Sequence, residues 1–298
     1  MRFSYPFEKS EPQQIKYFLK EQGISKGLLA KVKFQGGQIL VNDHVQNVLY
    51  FLQEHDIVTV VIPDEKEHET LLADDAPLDI VFEDKHLLIV NKPSNISSIP
   101  AQYHPNQTMA NRVKGYYKRQ GYANQVVHVV TRLDRDTTGL MLFAKHGFAH
   151  AKLDVQLREK RLHKHYQALV CGELARLNAH EEINAPIGRD MRSILKREVR
   201  EDGQPARTEY WVQKKTSTCA LVDIKLHTGR THQIRVHFES IGCPLVGDDM
   251  YGGRMDLSVQ RQALHCYHLE FTHPFTHEPL SFYQTLPEDM ATLIQATF

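Results

Sequence analysis

One tryptophan, four cysteines and no surplus of either charge mark this chain, in which 36 Lys+Arg stand against 36 Asp+Glu over 298 residues. No apolar run reaches the ~20 residues of a membrane-crossing helix, so no membrane role is expected. The opening MRFSYPFEKSEPQQ lacks the apolar core and small-residue cleavage site of a secretory signal. Cys171, Cys219, Cys243 and Cys266 are far apart and form no C-x-x-C pair. That pattern suggests neither a zinc ribbon nor a thioredoxin-like site, and reduced thiols in a cytoplasmic protein are expected. There is no H-E-x-x-H among the 18 histidines. His265 with His268, and His273 with His277, have ligand-like spacing but no acidic or thiolate third ligand at metal-site spacing, so no metal is expected.

What is present is an ordinary globular composition, 41% hydrophobic and 24% charged, with its charge unevenly placed. Between residues 54 and 84 eleven acids face Lys66 alone, a net charge of −10, so the remainder carries +10. A polyanion responds to that local field rather than to the neutral sum.

The pattern of apolar residues divides the chain into residues 1–63, an acidic linker at 64–76, and a larger domain at 77–298. Ile15, Phe18 and Leu19 recur at helical spacing between Gln14 and Glu21, and Gly23 supplies a stop. Ser25 is placed to cap a second helix bearing Leu28, Leu29 and Val32. Strands are expected at 38–41, leading into the turn Asn42-Asp43, and at 57–62. In the larger domain strands are expected at 78–82, 87–90, 125–131, 140–144, 165–170, 208–212 and 220–226. Helices are expected at 108–119 and 231–241, the second capped by Thr231. Strands that cluster without βαβ alternation predict an α+β fold with a largely antiparallel sheet.

Four blocks gather chemistry. In Thr131-Arg132-Leu133-Asp134-Arg135-Asp136-Thr137-Thr138-Gly139, charged and hydroxyl residues lie between two apolar strands, where rigid elements hold catalytic loops. Neighbouring guanidiniums favour the ionised form of Asp134, which then serves as nucleophile or base. On pattern alone, a surface turn with Asp136 and the threonines as backbone caps is the better reading of the block. In His227-Thr228-Gly229-Arg230-Thr231-His232-Gln233-Ile234-Arg235, Gly229 permits a tight turn and Arg230 lies near a helix start that attracts anions. Tyr166, Ala168 and Val170 share one face of a strand. The fourth block runs from Pro244 through Asp248 and Tyr251 to Gly252, followed by Arg261 to His265.

These blocks, in this order, resemble the RluA-type pseudouridine synthases that modify large-subunit ribosomal RNA. R-L-D-x-x-T-x-G, Y-x-A-x-V-x-G and G-R-T-H-Q-I-R-x-H carry the resemblance, together with Glu83-Asp84 and Asn91-Lys92-Pro93, over essentially all of 78–298. Residues 12–63 resemble the S4-type RNA-binding module, a small α/β unit, through I-S-K-x-x-L-x-x-x-K and G-G-x-I-x-V-N.

The resemblance implies a pseudouridine synthase fold and cofactor-free isomerisation of an extruded uridine. The glycosidic bond is cleaved, by attack on the sugar or another route to detached uracil, and the base rejoins through carbon 5. Asp134, Tyr166 and Arg230 match the catalytic aspartate, the stacking tyrosine and the basic partner that holds the aspartate ionised. Arg132 matches an arginine that fills the vacated stack. Substrate contacts are expected from Arg132, Thr137, Gly139, His232, Gln233 and Arg235, and RNA contacts from Lys26, Lys31 and Lys33. Two further basic clusters, Lys152 to Lys164 and Arg189 to Arg200, suit phosphate contacts.

Thr131 and Thr138 stand where the commonest family motif has His and Ser. A monomer acting on rRNA is the expectation, with tRNA open as an alternative substrate. A non-catalytic RNA-binding assembly factor, and a glycosidase needing two cooperating acids, are the competing classes. The matched catalytic residues disfavour the first, and the arginine-flanked Asp134/Asp136 pair disfavours the second.

Overall fold

The structure, a computed structural model, describes residues 1–65, 70–102 and 104–298. The N-terminal part is a four-stranded sheet in the order β1 (Arg2–Pro6), β4 (Ile57–Val61), β2 (Gln38–Val41), β3 (His44–Val45), with α1 (Ile15–Glu21) and α2 (Lys26–Phe34) beside it. Ser25 Oγ accepts from the Leu28 amide at 3.1 Å and so caps α2. Asn42 and Asp43 both take positive φ, 49° and 64°, which suits the two-residue turn between β2 and β3. Strand β1 lies in a segment for which the sequence predicts no element. It pairs antiparallel with β4 and carries Phe3, which packs on Phe148 and Phe275 of the larger part at ring centroid distances of 5.1 Å.

The larger part is built on a ten-stranded sheet among the described residues. Its strands are β5 (Asp79–Glu83), β6 (Leu87–Lys92), β7 (Thr138–Ala144), β8 (His163–Cys171), β9 (His180–Asn184), β10 (Arg207–Lys215), β11 (Cys219–Leu226), β12 (Leu264–Thr272) and β13 (Pro279–Tyr283), with a short strand at His128–Val129. The order is β9-β10-β11-β8-β12-β7-β6-β5, with β13 on β12. The pairings are antiparallel except for β7 with β12. This is a mixed α+β fold with a mostly antiparallel sheet. The expected strand at 125–131 shrinks to two residues because Thr131 turns toward β7, where its Oγ1 accepts from the Leu142 amide at 2.9 Å.

All of β7 is buried, as its continuous apolar run requires of a strand covered on both faces. Helices α3 (Met109–Arg119), α4 (Gly147–Arg158) and α5 (Gln233–Ser240) belong to the larger part, and α4 packs on β7. Tyr166, Ala168 and Val170 face the main core, while Leu169 and Cys171 face a second core formed with Met290 and Leu293 of α6 (Glu288–Thr297). The expected cap Thr231 is displaced by one residue. His232 takes φ 57° at the N-cap position and α5 starts at Gln233.

Candidate active site

Where β7 meets β12, the ends of the strands open into a cleft of about 600 Å³. The sheet pairs Gly139 with Cys266, and a Cβ on Gly139 (φ 110°) would lie 2.2 Å from the Cys266 carbonyl oxygen. The glycine of the Asp134 block is therefore required by backbone approach, and it presents no side chain to the cleft.

The loop ahead of it is clamped at almost every residue. Ser98 Oγ donates to the Leu133 carbonyl at 2.6 Å and accepts from the Leu133 amide at 2.9 Å. Lys92, fully buried, donates to the Arg135 carbonyl at 2.6 Å and the Pro93 carbonyl at 2.8 Å. Burial brings the Lys92 ammonium down to about 7, against the pull of Asp136 and Asp134. Arg261 donates to the Asp136 carbonyl at 3.1 Å, and Gln262 reaches Thr137 Oγ1 at 3.3 Å. Thr138 Oγ1 lies 2.8 Å from His265 Nδ1. Thr131 and Thr138 thus have internal hydrogen bonds as their evident roles. What remains free to face the cleft is the partly exposed Asp134 carboxylate with exposed Arg132 beside it.

Tyr166 and Lys164, two residues apart on β8, line the cleft together, with the Lys164 ammonium 6.0 Å from the Tyr166 ring centroid. Burial, with smaller contributions from Cys266 and Asp134, pushes the Tyr166 phenol well above its usual range, so it is neutral at physiological pH. Burial lowers Lys164, and Asp134 partly restores it. The sequence groups Lys164 with a basic cluster suited to phosphate contacts; its i, i+2 spacing from Tyr166 is the signal that places it in the cleft.

The cation beside the aspartate corrects the assignment drawn from resemblance. Arg235 Nη1 is 3.7 Å from Asp134 Oδ2. Arg230 lines the same cleft but is exposed, and its Nε donates to the Pro205 carbonyl at 3.0 Å. The reason is the late start of α5. Arg235 sits inside the first turns and points inward, whereas Arg230 belongs to the preceding loop.

Arg235 is oriented from behind by fully buried Asp248, which accepts from Nε and Nη2 at 2.7 Å each. Tyr251 stacks on the same guanidinium, 4.8 Å from ring centroid to Cζ, and its hydroxyl lies 2.9 Å from His232 Nδ1. Asp248 holds Arg235 charged despite burial that opposes it. Asp248 and Tyr251 stood in the fourth sequence block without a role, and only their contact with Arg235 supplies one.

Of the expected substrate contacts, Arg132, Thr137, His232, Gln233 and Arg235 line the cleft. Gln233 has little capacity left for a ligand. Its Oε1 accepts from Thr228 Oγ1 and the Arg230 amide, and its Nε2 donates to the Arg207 carbonyl and Thr208 Oγ1. It braces the loop instead. Thr137 is likewise buried and bonded. Gly229 does not need its glycine for a turn, since its φ is not positive and a Cβ would meet nothing within 4 Å. Lys26, Lys31 and Lys33 are exposed along α2.

The cleft is thus lined by a carboxylate, a buried guanidinium 3.7 Å from it and a neutral phenol, on a mostly antiparallel sheet. The RNA pseudouridylate synthase family matches residues 86–240. The chain is 44% identical over 281 residues to the uncharacterized RNA pseudouridine synthase YjbO of Bacillus subtilis, covering 94% of this chain and 98% of that one. It is 38% identical over 247 residues to ribosomal large subunit pseudouridine synthase D of Nitrosomonas europaea, covering 80% and 71%. The structure of human RNA pseudouridylate synthase domain containing 4 shares the fold, with TM-score 0.58 and 22% identity over 72% of this chain and 91% of that one. The chain belongs to the RNA pseudouridine synthase family, in its RluA/RluD-type branch.

Proposed function

We propose that this enzyme converts uridine to pseudouridine in large-subunit ribosomal RNA in the cytoplasm, acting as a monomer, with residues 1–63 as an S4-type RNA-binding domain. The observation that carries the chemistry is Asp134 facing the cleft with Arg235 at 3.7 Å. In the reaction the C1′–N1 bond breaks, a C1′–C5 bond forms, and the proton leaving C5 is balanced by one gained at N1. Atoms and electrons balance within the nucleotide, so no cofactor is required.

The target base swings out of its stack into the cleft, at an extrusion penalty of a few kcal/mol. Arg132, exposed at the cleft and without an ion pair among the described residues, occupies the vacated stack. Tyr166 supplies a flat surface for the uracil. Its neutral phenol favours stacking and hydrogen bonding over a phenolate's role as base. Asp134 acts at the sugar. Arg235 stands 3.7 Å from its carboxylate, and Asp248 shares the guanidinium charge so that Asp134 is not locked in a tight pair.

The exposed lysines of α2, and Arg189 and Arg192 near the hairpin Ile187–Arg189 with Arg197–Val199, supply phosphate contacts that add affinity without choosing sequence. The rRNA assignment is supported by the names of relatives such as the Nitrosomonas europaea protein. Mapping pseudouridines in cellular RNA with and without the gene tests it. The expected result is loss at one or more large-subunit rRNA positions. Intact rRNA with losses confined to tRNA overturns the substrate assignment while leaving the chemistry.

A further inference from the structure

On the sheet face opposite Tyr166, the strand pair β8/β12 carries a feature the isomerisation does not use. Tyr166 pairs with Cys266 and His165 with His268, so Tyr267 is an extra residue in β12. Such a bulge re-aims the side chains beyond it, and bulges of this kind concentrate at functional places. Its effect here is to set His268 and Glu270 on the same face as His165.

Among the described residues, one ligand atom from each of these three lies within 4.8 Å of the other two. His165 Nε2 is 3.4 Å from Glu270 Oε1, and His268 Nε2 is 4.0 Å from Glu270 Oε2. Donors around a tetrahedral zinc with bonds of about 2.0–2.1 Å stand roughly 3.3–3.4 Å apart, so the cluster needs a closure of up to about 1.4 Å. The His165 and His268 rings are stacked at 5.0 Å and 25°, so the two imidazoles already stand next to each other.

His268 is already fixed from outside. It stacks on Tyr283 at 4.0 Å and 4°, and its Nε2 lies 2.9 Å from Ser281 Oγ. That hydrogen bond must be given up for Nε2 to ligate a metal, and a water would complete four-coordination. Asp223, two residues from Lys225 on β11, has a buried Oδ1 with no hydrogen-bond partner among the described residues. Lys225, the cross-strand partner of His165, is the opposing charge in the neighbourhood.

We propose that His165, His268 and Glu270 form a binding site for a divalent zinc ion, back to back with the uridine cleft. Sequence alone hid it because His165 arrives from a neighbouring strand, and the bulge that aligns Glu270 leaves no spacing motif. Two imidazoles and one carboxylate suit zinc and disfavour magnesium, which prefers oxygen ligands. The inference does not depend on which RNA is modified.

The test is titration of chelator-stripped full-length protein with zinc against a chromogenic zinc indicator, beside the variants His268→Gln and Glu270→Gln. The expected result is one equivalent bound by the wild type, at least about 100-fold weaker binding in either variant, and a zinc-dependent rise in melting temperature in the wild type alone. No saturable uptake by the wild type, or equal uptake by all three proteins, overturns the site. Should a variant fail to fold, zinc-edge X-ray absorption on the loaded wild type decides. Two imidazole ligands support the assignment, and any other count refutes it.

Discussion

The pairing of Asp134 with Arg235 rather than Arg230 has a direct consequence for single side chains. Arg235→Gln leaves buried Asp248 without its guanidinium and Asp134 without its neighbour. We expect turnover to fall by roughly 100-fold or more, with part of the loss in stability, since breaking a buried pair costs about 3–5 kcal/mol. Arg230→Gln removes only an exposed contact to the Pro205 carbonyl and should cost no more than about 10-fold. Steady-state kinetics of the two variants, with melting curves, separate these outcomes; equal losses would remove Arg235 from its special place. Gly139→Ala must displace the Cys266 carbonyl and should lower stability by about 2–4 kcal/mol, read by urea unfolding. At this scale the sequence exposed Asp134 and Tyr166 through their motifs. Through the resemblance it pointed to Arg230 as the partner of Asp134, whereas Arg235, five positions on, stands there because the left-handed His232 delays α5.

Among the elements, α2 and its lysines offer the clearest test of the N-terminal part. Changing Lys26, Lys31 and Lys33 together to Gln should weaken rRNA binding and reduce the dependence of log K on log salt by about 2–3. Melting should be unaffected, since all three are exposed. Binding measured at several salt concentrations gives the slope, and an unchanged slope would remove α2 from the RNA path. Deleting residues 1–63 is a poorer experiment than it looks from sequence, because it would uncover Phe148 and Phe275, against which Phe3 packs. Strong periodicity made α1, α2, α3 and most central strands legible. Strand β1 alternates Phe3 and Tyr5 with polar neighbours, yet it is too short and too close to the terminus to stand out. Helix α4 shows little segregation of polar from apolar residues, and α6 covers a second core that no motif announces. Residues 66–69, in the middle of the expected acidic linker, lie outside the described residues.

For the whole molecule, buried neutral histidines tie stability to pH. Burial lowers His86 to about 4, His146 to about 3 and His265 to about 4. In the unfolded chain these rings take up protons near 6.5, whereas the folded protein resists until pH is much lower. Folding free energy is therefore fully present above pH 6.5 and declines as pH falls toward 4. Urea midpoints should drop steadily between pH 7.5 and 5, by a total on the order of a few kcal/mol, and a flat profile would contradict burial of these rings as neutral groups. His86 and His146 share a hydrogen bond of 2.9 Å beside Phe3, so the join between the two parts should loosen as this region acidifies. The proposed chemistry rests on one carboxylate. The most direct measurement is pseudouridine formation by Asp134→Asn on large-subunit rRNA from cells lacking the gene, with wild type on the same RNA and binding measured in parallel. The expected result is no detectable product with affinity within about threefold of wild type; turnover by the variant within about tenfold of wild type would contradict the role given to Asp134.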